Sequence, residues 1–285
     1  MNTKAPAKIN LSLRIVRRRP DGYHDIETVF QELQLSDQIA FEPDDTGELT
    51  LNISGPRALP GLESEKNLIL RAARMLEQYA QDRKISGRFE LEKHIPVGGG
   101  LGGGSSDAAA ALLLVDSALD LQLSGRQLAE AGARLGADVP FFLLDATSAV
   151  GRGVGNKLSP VDHKCKWHVV LAFPPYGLST ADVFKRFDPL LVGDPADTEA
   201  LVAALNRGDL EAALELMTNA LERPAFEIQR PLAHLREHLE SIAGRSVRMT
   251  GSGSTLFTLT SDADQARAIA QKWNPHCQSM VTRFA

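Results

Sequence analysis

Six glycines fall within seven residues in the stretch Pro96-Val97-Gly98-Gly99-Gly100-Leu101-Gly102-Gly103-Gly104-Ser105-Ser106-Asp107. Glycine loses more backbone freedom on folding than other residues, so a loop of this composition is costly to order. A helix rich in alanine and leucine is predicted directly after it, over residues 105–119. Free N–H groups at a helix start attract anions. The stretch therefore predicts a loop that holds phosphate, and a flexible linker is the alternative.

Two common phosphate-loop patterns do not account for this stretch. No lysine follows the glycines, as the GxxxxGK[ST] pattern requires. A GxGxxG match exists at Gly98, Gly100 and Gly103, but any glycine run provides one. Where the dinucleotide fingerprint needs an acidic residue at a strand end, residues 116–120 lie in or at the end of the predicted helix. A nicotinamide-dependent oxidoreductase and a non-catalytic nucleotide-binding protein remain as alternatives from other classes.

Length and composition indicate the class of protein to which this loop belongs. A chain of 285 residues predicts about two domains, and 43% hydrophobic with 24% charged residues is typical of a soluble globular protein. The net charge of −5 gives no indication of nucleic-acid binding. Cys165 and Cys277 lack metal-ligand spacing and indicate reduced thiols in the cytoplasm. No targeting segment is expected before the first predicted strand.

The first half of the chain is rich in predicted strands. Alternation of apolar and polar residues over 7–15 predicts a half-buried strand, from which Lys8 and Asn10 project on one side. Further strands are predicted over residues 24–35, 39–42, 49–53 and 87–93. One helix is predicted after a Ser64 cap with Leu68, Ala72, Met75 and Tyr79 on one stripe, and another between a Ser124 cap and Gly136.

The second half is predicted to be mainly helical. Glycines in residues 151–155 predict a flexible boundary between halves 1–152 and 153–285. Helices dominate between a strand at 167–173 and about residue 241. A strand at 247–249 is predicted to continue, across Thr250-Gly251-Ser252-Gly253-Ser254-Thr255, into residues 256–259. A helix over 264–273 and a strand over 280–284 follow. Because strands and helices do not alternate strictly, the pattern indicates the α+β class.

Three segments resemble the motifs of the GHMP kinases, the superfamily of galactokinase, homoserine kinase, mevalonate kinase and phosphomevalonate kinase. The glycine stretch is similar to the central ATP-binding motif, Pro6-Ala7-Lys8-Ile9-Asn10-Leu11 to the N-terminal motif, and Thr250-Gly251-Ser252-Gly253-Ser254 to the C-terminal motif. The long glycine loop, with Asp21-Gly22-Tyr23-His24 and Leu135-Gly136-Ala137-Asp138-Val139-Pro140-Phe141-Phe142, is similar to the branch that acts on a cytidine-diphosphate-linked methylerythritol. The resemblance spans nearly the whole chain.

The resemblance implies a two-domain α+β GHMP kinase fold. Residues 1–152 would form a strand-rich ATP-binding domain, and residues 153–285 a helix-rich substrate-binding domain with an antiparallel sheet. It implies ATP and Mg²⁺ as cofactors and phosphorylation of the 2-hydroxyl of the cytidine-diphosphate-linked methylerythritol, in the non-mevalonate isoprenoid pathway. No nucleic-acid or membrane partner is expected, and the chain would be a monomer or weak homodimer. The alternative is a homoserine- or mevalonate-type kinase, which would have no use for Tyr23 and His24.

Lys8 and Asp138 are the catalytic residues that the resemblance implies. Asp138 would accept the proton of the attacking hydroxyl or orient that hydroxyl. Lys8, near Asp138, would counter the negative charge that develops on the transferred phosphate. From the residues alone, Asp138 is also a favoured N-cap for a helix that Pro140 opens.

The resemblance also implies the binding residues for the two substrates. Those for the nucleotide are Pro96, Val97, Gly98, Gly99, Gly100, Leu101, Gly102, Gly103, Gly104, Ser105, Ser106 and Asn67. The loop would wrap the triphosphate, and the two serine hydroxyls would bond phosphate or Mg²⁺. Asn67 would lie near the base; its alternative is a helix-start residue that is satisfied locally.

The residues that the resemblance implies for binding the cytidyl substrate are Asn10, Tyr23, His24, Phe30, Phe184, Gly251 and Ser252. His24 would read the cytosine edge, and the base would stack between Tyr23 and Phe184 with Phe30 lining the pocket. An apolar residue in a helix, such as Phe184, is also typical of a core. Residues 251–253 would close over the site or form a structural turn only.

Overall fold

The computed structural model of the chain describes residues 1–80, 84–187 and 196–285. They form two compact units, each built from segments that are distant in sequence. The first unit contains Met1–Ala7, Leu35–Val97 and Gly102–Asp145, and the second contains Lys8–Gln34, Gly98–Leu101 and Ala146–Ala285. The units therefore do not coincide with a single division after residue 152. The assignment of ATP binding to residues 1–152 and of substrate binding to residues 153–285 stays a prediction.

The described part of the chain forms eleven strands and nine α-helices. The strands are β1 (Asn2–Arg18), β2 (His24–Pro43), β3 (Leu49–Ser54), β4 (Gly87–Glu92), β5 (Ser148–Gly153), β6 (Lys157–Pro160), β7 (His168–Phe173), β8 (Thr218–Asn219), β9 (Arg248–Met249), β10 (Leu256–Thr260) and β11 (Gln278–Arg283). The helices are α1 (Leu68–Leu76), α2 (Gly103–Ala118), α3 (Gly125–Leu135), α4 (Thr180–Arg186), α5 (Thr198–Arg207), α6 (Leu210–Leu216), α7 (Glu222–Ile228), α8 (Arg230–Ala243) and α9 (Ala263–Trp273).

In the first unit, β3, β4 and parts of β1 and β2 accompany a group of helices. β3 runs parallel to β4, and β4 pairs antiparallel with the last residues of β2. The rings of Phe41 and Phe89 pack with their centroids 4.5 Å apart. Four buried alanines at 108–111 keep one part of α2 thin, so α1 and α3 pack closely against it. A short 3-10 helix, Val139–Leu143, also packs on α2 and α3.

In the second unit, β1 lies between β2 and β8, and β5 lies between β2 and β6. A separate antiparallel sheet has the order β11-β7-β10-β9. Helix α9 packs on this sheet and α8 packs on α9. Trp273 is fully buried there, and its indole N–H donates to the carbonyl of Leu239 at 3.0 Å. The indole thereby keeps its polar group satisfied inside an apolar core.

The α+β class is confirmed, as are most of the predicted helices and strands. The Ser124 side chain accepts from the backbone N–H of Gln127, whose side chain bonds back to the Ser124 backbone, so α3 begins with a capping box. Ser179 also caps α4, because its side chain accepts from the backbone N–H of Asp182. Within the described residues, no helix is long and apolar enough to cross a bilayer.

Two predictions about the first strands are wrong, because tertiary contacts outweigh the local pattern. The strand at 7–15 is not half-buried: its polar side chains Lys8, Asn10 and Ser12 are as buried as its apolar ones. The predicted strands at 24–35 and 39–42 are one strand, β2. The polar residues between them do not break the strand, because Asp37 is buried and accepts from the backbone N–H groups of His94 and Ile95.

Two glycine-rich segments also differ from their predictions. Residues 151–153 are not a flexible boundary; they lie in β5 and pair with β2, and a Cβ on Gly151 would meet the ring of Phe30 at 2.6 Å. Residues 256–259 do not continue the strand at 247–249 in the same direction, because the chain reverses at the predicted turn of residues 251–253. β9 and β10 pair antiparallel, with Leu256 opposite Met249.

The predicted helices differ at their starts and on one buried face. α2 begins at Gly103, two residues before the prediction, so that Gly103 and Gly104 are helical. α1 buries Ile69, Leu70, Ala72, Ala73 and Leu76, whereas the predicted stripe shares only Ala72 with this face. Its N-cap is Asn67 and not Ser64.

Candidate active site

The glycine loop adopts a conformation that residues with a side chain rarely accept. Gly98, Gly100 and Gly102 have φ angles of +72°, +78° and +72°, in the left-handed region that favours glycine. At Gly100 space is also lacking, because a Cβ would lie 2.3 Å from the carbonyl oxygen of Thr250. Gly102 is the N-cap of α2 and accepts from the N–H of Ser106 at 2.9 Å. The loop thus leads its backbone into a helix start, as the phosphate prediction requires.

Three segments that are distant in sequence meet in the second unit. Lys8 donates its backbone N–H to Leu101 at 2.9 Å, which joins β1 to the glycine loop. The N–H of Thr255 donates to the carbonyl of Gly99 at 3.2 Å. The N–H of Asn10 donates to the hydroxyl of Thr250 at 3.0 Å. Parts of all three segments that carry the GHMP kinase resemblance are therefore fastened together.

Lys8 is only 3% exposed and is oriented by its neighbours. Its Nζ donates to Asn10 Oδ1 at 2.6 Å and lies 5.6 Å from the centre of the Phe30 ring. Asn10 is held in turn, because its Nδ2 donates to Thr28 Oγ1 at 2.8 Å. The turn at Gly251 covers the ammonium group closely: a Cβ there would lie 3.4 Å from Lys8 Nζ. Asn10 and Phe30 thus act first as the surroundings of Lys8.

Asp138 belongs to the first unit and precedes the 3-10 helix Val139–Leu143, in which Pro140 is the second residue. Its backbone is in the helical region, and its side chain makes no capping hydrogen bond. The capping alternative for Asp138 is therefore wrong. Its catalytic role stays a prediction.

Asn67 makes the contacts of a helix-start residue. Its Oδ1 accepts from the N–H of Ile69 at 2.9 Å, and its Nδ2 donates to the carbonyl of Leu62 at 2.8 Å. These bonds satisfy one free N–H of α1 and tie down the preceding turn. The local alternative accounts for both of its polar atoms, and its nearness to a nucleotide base stays a prediction.

The first turn of α2 carries two buried oxygen atoms without partners. Ser106 Oγ and Asp107 Oδ1 have no hydrogen-bond partner among the described residues. The other carboxylate oxygen of Asp107 accepts from Lys93 Nζ at 2.7 Å, and Lys93 also donates to Asp37. Burial raises the pKa of Asp107 to about 7, although the charge of Lys93 opposes the shift. A buried polar atom without a partner is costly, so these oxygens suit a ligand.

Two residues predicted for the cytidine end, His24 and Phe184, form an aromatic group with Phe187 in the second unit. The His24 ring lies 5.4 Å from the Phe184 ring and 6.0 Å from the Phe187 ring, measured between centroids. Burial, followed by the charge of Arg18, lowers the pKa of His24, so the ring is neutral at pH 7 and has one donor and one acceptor. Tyr23 is 68% exposed. Phe184 is partly buried and packs against the core, as its core alternative expects, and its stacking on the base stays a prediction.

Ser252 joins the third segment to helix α4. Its hydroxyl and that of Thr180, the first residue of α4, are 2.8 Å apart. Because Phe184 lies on the same helix, the turn at residues 251–253 and the aromatic group share one support. The turn is therefore bonded to a helix outside its own hairpin, and its closure over the site stays a prediction.

Sequence reasoning missed several residues that hold this site. Thr250 lay in the quoted third motif but was not predicted to bind anything. Thr28, Asp37 and Lys93 stand in no motif, and their contacts join residues 14 to 58 positions apart. A lysine or aspartate that interrupts an apolar strand is the one signal that the sequence offered.

Comparison with known proteins gives independent evidence on the family of this chain. Residues 67–146 match the family described as GHMP kinases N terminal domain, and residues 201–278 match GHMP kinases C terminal. A 4-diphosphocytidyl-2-C-methyl-D-erythritol kinase of Pelotomaculum thermopropionicum is 38% identical over 280 residues, which cover 98% of this chain and 96% of the relative. A protein of the same name from Rhodopseudomonas palustris is 40% identical over 279 residues, with 95% and 91% covered.

Solved structures agree with these relatives. The crystal structure of a 4-(cytidine 5'-diphospho)-2C-methyl-D-erythritol kinase superposes with a TM-score of 0.82 at 36% identity and covers 100% of this chain and 99% of its own. Homoserine kinase from Cytophaga hutchinsonii superposes with a TM-score of 0.74, covering 100% and 94%, but at 17% identity. That second likeness concerns the fold alone.

Proposed function

Because the chain belongs to the GHMP kinases, and among them to the 4-diphosphocytidyl-2-C-methyl-D-erythritol kinases, we propose that it phosphorylates the 2-hydroxyl of that cytidyl alcohol with ATP. This is a step of the non-mevalonate route to isoprenoid precursors. The observation that carries the proposal is the meeting of residues 8–10, 99–101 and 250–255 around the buried Lys8. The nicotinamide-dependent alternative has no comparable support.

The glycine loop is the proposed cradle for the ATP phosphates. Its left-handed glycines allow backbone N–H groups to face a ligand without a Cβ in between. The start of α2 adds free N–H groups and the positive end of the helix dipole. Pro96 and Val97 lead into this loop, and Ser105 follows it. We assign the triphosphate to residues 96–106.

Mg²⁺ is the proposed second cofactor. Ser106 Oγ and Asp107 Oδ1 are buried oxygens without partners among the described residues, and Mg²⁺ prefers such hard oxygen ligands, often together with phosphates. When bound, the ion would neutralise charge on the triphosphate. Ser106 would hold the ion or a phosphate oxygen, and Asp107 would supply the second oxygen.

Lys8 and Asp138 are the proposed catalytic residues. Phosphoryl transfer needs little covalent chemistry from a protein, so positioning and charge stabilisation dominate. Asp138 would accept the proton of the 2-hydroxyl or hold that hydroxyl in line, and Lys8 would counter charge on the transferred group. Asn10 keeps the Lys8 ammonium in one place, so little reorganisation is needed during transfer.

The aromatic group of the second unit is the proposed cytidine site. Neutral His24 would bond the pyrimidine edge, and Tyr23 and Phe184 would stack on the base. Phe30, only 1% exposed, would shape the site from behind Lys8. Gly251 and Ser252 would close over the methylerythritol end. We further propose a cytoplasmic monomer or weak homodimer with no nucleic-acid partner.

The experiment that tests the function is an ADP-release assay on the purified chain. It compares the cytidyl alcohol, mevalonate and homoserine at equal concentrations, with ATP alone as the background. We expect rapid release only with the cytidyl alcohol, and mass spectrometry should show a product heavier by one phosphate. Removal of Mg²⁺ with a chelator should stop turnover, and added Mg²⁺ should restore it. Faster turnover of mevalonate or homoserine would overturn the proposal.

A further inference from the structure

Asn219, the last residue of β8, holds the turn that follows β9. It is 8% exposed, and its Nδ2 donates to the carbonyl oxygens of Met249 at 2.7 Å and Gly251 at 2.8 Å. Its Oδ1 accepts from the N–H of Leu221 at 2.9 Å. A carboxamide has two N–H donors in a fixed plane. Both side-chain N–H groups of Asn219 donate to the segment that enters and forms this turn.

Glu222, the first residue of α7, bonds the same segment of the chain. One oxygen of its carboxylate accepts from the backbone N–H of Met249 at 2.7 Å. Met249 is thus bonded on its carbonyl by Asn219 and on its N–H by Glu222. Arg248 adds a bond from its Nε to the carbonyl of Met217 at 2.8 Å. The short segment at residues 217–222 therefore clamps β9 just before the turn.

The turn that Asn219 and Glu222 hold contacts Lys8, Asn10 and the glycine loop of the proposed site. Gly251 lies against Lys8 Nζ, and Thr250 receives the backbone N–H of Asn10. Thr255 bonds Gly99 of the glycine loop. A displacement of about 1 Å in such a site can lower a rate about a hundredfold.

We propose that Asn219 is a positioning residue for the phosphoryl transfer, acting through its two bonds to the turn at residues 249–251, with Glu222 as its partner. This inference rests on the proposed function. Asn219 acts by keeping the turn against Lys8 and the glycine loop, and not by touching a substrate. A purely structural role would lower stability and leave the turnover of each folded molecule unchanged.

Asn219→Asp is the most direct test. It keeps the shape and the acceptor for Leu221, but it removes both donors and sets an oxygen against two carbonyl oxygens. We expect kcat per folded molecule to fall at least about tenfold, with the KM values for ATP and the alcohol changing less than about threefold. Asn206→Asp, at an exposed position on α5, makes the same chemical change away from the turn and should keep wild-type kinetics.

A second pair of variants tests Glu222. Glu222→Ala removes the acceptor for the Met249 N–H, and we expect kcat to fall; Glu222→Gln restores an acceptor oxygen and should recover most of that loss. The folded fraction of every variant is measured by circular dichroism before kinetics. If Asn219→Asp does not fold, Asn219→Ala takes its place, since it introduces no carboxylate.

Several results would overturn the inference. One is a folded Asn219→Asp protein with wild-type kcat, and another is an equal loss in Asn206→Asp. Failure of both Asn219 variants to fold would assign the residue to stability alone. Failure of the proposed function is separately visible, because wild-type turnover of the three alcohols is measured in the same assay. The Asn219 variants are then compared with wild type on whichever alcohol it phosphorylates.

Discussion

Lys8 is placed by a chain of side chains that each satisfy the next. Asn10 receives its ammonium group, Thr28 receives the Asn10 amide, and the Thr28 hydroxyl donates to the carbonyl of Ser12 at 2.6 Å. A buried charge needs such partners, because desolvation is otherwise very costly. Asp138 contrasts with Lys8, since its side chain takes no part in starting the helix it precedes. A substitution at a single residue of this kind can separate an effect on the reaction from an effect on the fold.

Asp138→Asn should remove chemistry and leave the fold intact. The carboxamide keeps the shape but loses the charge and the capacity to accept a proton. We expect kcat to fall about 10²–10⁴-fold, the usual contribution of a positioned acid–base group, with directly measured substrate Kd values little changed. Asp145→Asn, at an exposed position, is the matched control and should behave as wild type. Near-normal kcat in Asp138→Asn would leave Lys8 as the principal catalytic group.

Tyr23→Ala should remove binding and leave chemistry intact. Tyr23 is largely exposed, so its ring is free to stack on a base at little cost to the fold. Loss of one stacking partner is worth about 1–3 kcal/mol, so the Kd of the cytidyl substrate should rise about 5- to 150-fold. ATP affinity serves as the internal control and should stay near wild type. Equal losses for both ligands would remove Tyr23 from the cytidine site.

Among the elements, the glycine loop and the start of α2 form the proposed cradle for phosphate. The left-handed glycines bring the backbone into position, and Gly102 places the first turn of α2 directly after the loop. Under that turn, Lys93 links Asp37 of β2 to Asp107 of α2 in a buried ionic group. The helix start is therefore anchored to the strand below it as well as to the loop before it.

Gly102→Val tests the loop against a control with the same backbone strain. Gly102 and Gly208 have φ angles of +72° and +69°, and Gly208 ends α5 in open space. Valine at either position should cost about 1–2 kcal/mol of stability, because side chains disfavour the left-handed region. Only Gly102→Val should also weaken ATP binding, measured by calorimetry. Unchanged ATP affinity in a folded Gly102→Val protein would contradict the cradle.

Across the whole molecule, buried carboxyl groups make stability depend on pH. Burial raises the pKa of Glu32 in β2 from 4.5 to about 7. The folded protein thus binds this proton more tightly than the unfolded chain does. The stabilisation that results is complete below pH 4.5 and is lost as pH rises through about 7. Asp107 shifts in the same direction, also because of burial.

Glu32→Gln should remove the share of this pH dependence that belongs to Glu32. We expect the variant to gain up to about 3 kcal/mol over wild type between pH 5 and pH 8, as the shift of its pKa requires. Urea unfolding at both values measures the difference. Glu65→Gln, at an exposed position, should leave the wild-type profile unchanged. Parallel profiles of wild type and Glu32→Gln would show that this carboxyl does not titrate in the range.

Local chemistry determined much of this protein from the sequence alone. The glycine loop and the Ser124 cap of α3 depend on neighbours within a few residues, so their patterns predict them. The same holds for the α+β class, which follows from the order of periodic segments. The resemblance of three short motifs also identified the superfamily, because each is a contiguous run. Roles of single residues within those motifs stay predictions.

Tertiary structure alone decided where buried polar residues find partners. Asp37 interrupts an apolar pattern, yet β2 runs through it, because its carboxylate accepts from Lys93 and from two backbone N–H groups. These three partners lie more than 50 residues along the chain. Lys8 and Asn10 are buried for the same reason. Asn219 belongs to no motif and meets its turn only when β8 and β9 come together. Partners at such separations leave no local period in a sequence, and they exist only once the chain has folded.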